Sequence, residues 1–63
     1  MDMNEQMSLD EFKKKVRVFG IETRHFSTEV VNDLMKAYDS DFPEFLRDNW
    51  TIPEVFTAMI MSY

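Results

Sequence analysis

Cysteine is absent from a chain of only 63 residues. That pairing constrains the fold more than any motif does. A domain this short hides only about 60% of the surface its unfolded chain exposes. Small scaffolds usually recover stability through disulfides, a metal or a second subunit. Without cysteine, disulfides and thiolate metal sites are both excluded. His25 is the single histidine, too little for an imidazole-based zinc centre. An efficient apolar core, an oligomer or a partner protein is left to stabilise the chain.

The residue content suits an efficient core. Hydrophobic residues make up 44% of the chain and aromatics 14%, which a disordered segment would not carry. One glycine and two prolines are too few for a loop-rich fold. We expect a flexible N-terminus over residues 1–7 and a single all-α domain over 8–63, a compact small bundle of three main helices plus one short helix.

Spacing and caps locate those helices. Ser8 with Glu11 three residues on has the form of a capping box, in which each side chain satisfies a backbone N–H of the first turn. Leu9, Phe12, Val16 and Phe19 then share one helical face, and Gly20 reads as a left-handed stop, giving a first helix over about 9–19. A short strand at Val16–Phe19 is the weaker alternative, because it would have no sheet to join. Ser27 opens a second helix over about 28–38, with Phe26 and Val31 placed for a hydrophobic staple. Its apolar stripe is Val30, Val31, Leu34, Met35 and Tyr38. Pro43 suits the first turn of a short third helix ending near Asn49. Thr51 and Glu54 form another capping box, and Ile52, Val55, Phe56, Met59, Ile60 and Tyr63 repeat at helical spacing in the last helix. The expected core is Leu9, Phe12, Val16, Phe19, Ile21, Phe26, Val30, Leu34, Tyr38, Phe45, Leu46, Trp50, Val55, Phe56, Met59 and Ile60.

The formal charge is −5, and it is unevenly placed. Residues 1–25 balance five acids with five bases, whereas 26–63 carry seven acids and two bases. An acidic chain is poorly suited to general phosphate binding, which relies on basic surface. The cluster Lys13, Lys14, Lys15, Arg17 and Arg24 supports an alternative, a small DNA-binding transcriptional regulator using the basic face of the first helix. A helix-turn-helix centred on Asn49–Thr51 would offer DNA Glu54, Thr57, Ala58 and Met61, with no side chain suited to read base edges. Nucleic acid is therefore not the expected partner. Asp39-Ser40-Asp41 resembles the start of a calcium loop, but Glu44 and Trp50 stand where its glycine and closing glutamate belong. No metal or cofactor is expected.

Enzyme chemistry is not expected either. No thiol is present, Ser27 beside His25 is better used as a helix cap, and a chain this small has little volume for a pocket. The N-terminus lacks the basic and apolar regions of a signal peptide, and no apolar run approaches the roughly 20 residues of a membrane span. The expected location is cytoplasmic.

The last helix points elsewhere. Ala58 and Met61 lie opposite its core stripe, and a helix apolar on both sides usually packs on both. Together with Thr57, Glu54 and the acids Asp33, Asp39, Asp41, Glu44 and Asp48, they form the candidate partner-binding set. The expected function is a non-catalytic protein-binding module, a small acidic inhibitor or regulator that occupies a partner's surface and could imitate the charge of nucleic acid. Size and charge associate it with accessory proteins of phages and mobile elements. Within this class a homodimer through the last helix is expected, and a structural subunit of a larger assembly is a further alternative.

Overall fold

The computed structural model describes residues 7–62. Helix α1 (Leu9–Val18) runs into a π-helical segment (Phe19–Thr23), followed by α2 (Thr28–Ala37), a 3₁₀ turn (Asp39–Asp41), the short α3 (Phe42–Arg47) and α4 (Ile52–Met61). Among the described residues there is no strand, so the fold is an all-α bundle of three longer helices and one short one. Residues 1–6 of the expected flexible tail and Tyr63 of the last stripe lie outside the described residues. Met7, placed in that tail, is half-buried and packs against the core.

The caps account for most helix starts. Ser8 Oγ accepts the Glu11 N–H at 3.2 Å, and Ser27 Oγ accepts the Val30 N–H at 3.2 Å. At α4 the box is complete: Thr51 Oγ1 accepts from Glu54 N–H at 3.3 Å, and Glu54 Oε1 accepts from Thr51 N–H at 2.9 Å. The box expected at Ser8 is only half formed. Glu11 instead turns its carboxylate along the helix toward Lys15, 3.9 Å away and one turn on.

Gly20 does not stop the first helix. It has no positive φ, and it lies buried inside the π-helical segment. The left-handed reversal comes five residues later, at His25 (φ 62°). There Arg24 N–H bonds Phe19 O at 3.1 Å and Phe26 N–H bonds Gly20 O at 3.0 Å, a helix ending one residue wider than the ordinary α termination. The reason is packing. Without a Cβ, Gly20 lets the widened turn press onto Phe56 and Val31.

Phe12, Val16, Val31, Leu34, Phe42, Val55, Phe56 and Met59 are sealed from solvent. Phe56 is the hub: Phe19 and Phe26 meet it edge-on at 5.9 and 5.3 Å, and the Arg24 guanidinium lies 5.7 Å from its ring centre. Two sealed residues, Val31 and Phe42, were missing from the expected core. Phe42 sits at the first position of α3 because the 3₁₀ turn starts the helical path before Pro43, and its ring meets Phe12 edge-on at 6.1 Å. Trp50, placed in the expected core, is instead 38% exposed.

Candidate functional site

Trp50 is held at the surface by the way α3 ends. Asn49 adopts a left-handed conformation (φ 60°), its N–H bonds Leu46 O at 3.2 Å, and the Trp50 N–H bonds Phe45 O at 3.0 Å. This is a Schellman reversal, whose usual companion is an apolar contact between the residues that Trp50 and Phe45 represent. Their rings accordingly pack with centroids 4.7 Å apart, tilted by 47°. The tilted contact covers part of the indole and leaves 38% of the residue exposed.

Beside it lies an open groove lined by Asp48, Asn49, Trp50, Pro53, Glu54, Thr57, Ala58 and Met61. The α4 residues of this lining face away from Val55, Phe56 and Met59, the buried side of the same helix. Met61 is 79% exposed and Ala58 half-buried. The groove thus has an apolar centre of Trp50, Pro53, Ala58 and Met61, with carboxylates at its edge.

Those carboxylates have defined partners. Asp48 Oδ1 accepts from Arg47 Nε at 3.4 Å; Glu44, outside the groove, lies 3.7 Å from the same guanidinium. The hydrogen bonds from the Thr51 backbone and with its side chain hold the Glu54 carboxyl below the ordinary glutamate range, so it stays ionised in moderately acidic solution.

Of the candidate partner-binding residues, the fold gathers Asp48, Glu54, Thr57, Ala58 and Met61 into this groove. Asp33, Asp39, Asp41 and Glu44 lie outside its lining. Asp39 bonds Lys13 Nζ at 2.6 Å, tying α1 to the 3₁₀ turn. Asp33 is exposed on α2, and Asp41 precedes α3 without a side-chain cap bond. Asn49, Trp50 and Pro53 were missed as site residues. An asparagine directly after a short helix was the available signal, since asparagine tolerates the left-handed position that ends helices.

The basic residues of α1 divide by role. Lys13 is taken by Asp39, and Arg17 Nε donates to Asn32 Oδ1 at 3.0 Å. Both therefore hold α1 to neighbouring elements. Ser27 is occupied as the α2 cap, and His25 lies exposed in the preceding reversal. No described helix is long and apolar enough to cross a membrane. No family model, curated protein or solved structure matches the chain.

Proposed function

We propose that this chain is a non-catalytic protein-binding module, a small acidic regulator that acts by occupying the surface of another protein through the Trp50–Met61 groove. One observation carries the reading. Two of the three exposed large apolar side chains among the described residues, Trp50 and Met61, line the same groove. Exposed apolar residues scattered singly need no explanation, but clustered ones mark interaction sites. Tryptophan is enriched among residues that dominate binding energy, and methionine adapts its shape to a partner.

The chemistry of the groove states what it takes. An apolar side chain of the partner covers Trp50 and Met61, and Lys or Arg beside it meets Asp48 and Glu54. A two-fold homodimer through α4 fits less well, because an isologous contact sets the same patch against itself. The Asp48 and Glu54 carboxylates of both copies would then be brought into one interface whose lining holds no Lys or Arg.

Affinity capture in the native source tests the reading, with the wild-type chain compared with Met61→Glu and Trp50→Ala. A protein held by the wild type, released by both variants and rebinding the wild type when purified is the expected result. Equal retention by the folded variants would overturn it.

A further inference from the structure

The third exposed large apolar residue, Val18 (37%), lies in a second groove of opposite charge. Val18 and half-buried Phe19 and Ile52 form its floor, where the end of α1 and the π-helical segment meet the start of α4. Lys14 and Lys15 stand at its edge with Glu11, two bases against one acid. Unlike Lys13 and Arg17, these two are not committed to holding the fold. Lys15 has only the distant Glu11 carboxylate at 3.9 Å, between two side chains more than half exposed, and no ion pair involves Lys14 among the described residues. A net-negative body thus presents one apolar groove rimmed by lysines and another rimmed by carboxylates. Ile52 of the first and Met61 of the second are about two and a half helical turns apart on α4, which puts them on opposite sides of that helix.

We infer that the occupant of the Trp50–Met61 groove, when no foreign partner fills it, is a second copy of this chain seated through its Lys14–Lys15–Val18 groove. The inference rests on the proposed reading of the Trp50–Met61 groove as a docking surface. Trp50 and Met61 of one copy cover Val18 and Ile52 of the next, and Asp48 and Glu54 meet Lys14 and Lys15. The contact joins two different patches, so it is heterologous, and a pair keeps one groove of each kind open, one on each copy. Association therefore continues head to tail instead of stopping at a two-fold pair. Pairing the acidic groove with itself would bring like charges together, whereas setting it against the two lysines satisfies both rims.

Sedimentation of the full chain over a concentration series in low salt tests this, with circular dichroism confirming that each variant is folded. The wild type is expected to associate, and molar salt to disperse it, because the Debye length then shrinks to about 3 Å. The double variant Lys14→Glu/Lys15→Glu is expected to associate about tenfold more weakly or less. So is Asp48→Lys/Glu54→Gln, in which glutamine can still accept from the Thr51 N–H. Mixing the two variants restores association, since each then supplies the rim the other needs. A monomeric wild type, association that survives molar salt, or a mixture no better than its parts overturns the inference. A monomer that still captures a host protein through Met61 defeats self-pairing alone, and a monomer that captures nothing defeats the docking surface with it.

Discussion

Gly20 stands against the edge of the Phe56 ring with no room for a side chain: a Cβ there would meet Phe56 Cζ at 2.8 Å and Val31 Cγ2 at 3.1 Å. The Phe56 ring is enclosed by Phe19, Phe26 and Arg24, so it has nowhere to retreat. In an exposed helix, Gly→Ala gains up to about 1 kcal/mol of propensity. At this position the crowding reverses the sign.

Gly20→Ala is accordingly expected to destabilise the chain by about 1–3 kcal/mol, the usual cost of overpacking a filled core. In a domain of this size each kcal/mol lowers the melting temperature by about 4–8 °C. Thermal unfolding followed by circular dichroism measures it, and an unchanged or raised melting temperature would show that the ring yields.

Asn49 and His25 carry the two left-handed backbones of the described residues. Any side chain at Asn49 meets the Cβ penalty of that region, about 1–2 kcal/mol; the short polar side chain of asparagine offsets part of it by local hydrogen bonding, alanine offsets none, and glycine avoids it. The melting temperature of Asn49→Gly should therefore lie at or above that of the wild type, and that of Asn49→Ala below it. The same order is expected at His25.

These positions also mark where the sequence was and was not legible. Helix starts were readable because a cap is local: Ser8, Ser27 and Thr51 each lie three residues from the N–H they bond. The end of the second helix was read to within a residue, but that of the first was not, because Gly20 has two possible uses and only Phe56, far along the chain, decides between them. Phe42 was missed as core because the 3₁₀ turn that aims it inward has no apolar periodicity. Trp50 was misplaced because size and aromaticity fit a core and a surface anchor equally well. The exposed face of α4 was found through Ala58 and Met61, but its Trp50 wall depends on the α3 reversal, which spacing alone does not reveal.

Trp50→Ala and Phe42→Ala separate these two kinds of aromatic residue. Trp50 loses its tilted ring contact with Phe45 and part of its buried area, and aromatic pairs are worth about 0.5–1.5 kcal/mol. Sealed Phe42 leaves a cavity and costs about 3–5 kcal/mol. Urea unfolding of both variants checks the difference, and equal losses would return Trp50 to the core.

The Glu54 carboxyl titrates below its ordinary value because it accepts from Thr51 N–H. Its folded value lies below its unfolded one, so the stability it contributes is present above the unfolded value and is lost as pH falls through the folded value. The melting temperature of the wild type should fall in acid, below the ordinary glutamate range near about 4.3. Glu54→Gln should flatten that part of the profile, since glutamine serves the capping box without titrating. Superimposable profiles for the two proteins would remove Glu54 from the acid response.

The most direct test of the docking surface is the methyl spectrum of a chain carbon-13-labelled at methionine, recorded in dilute buffer and again in extract of the native source. The groove predicts that the Met61 methyl signal shifts or broadens in extract while sealed Met59 stays in place. A Met61 signal as sharp and unmoved in extract as in buffer would contradict it.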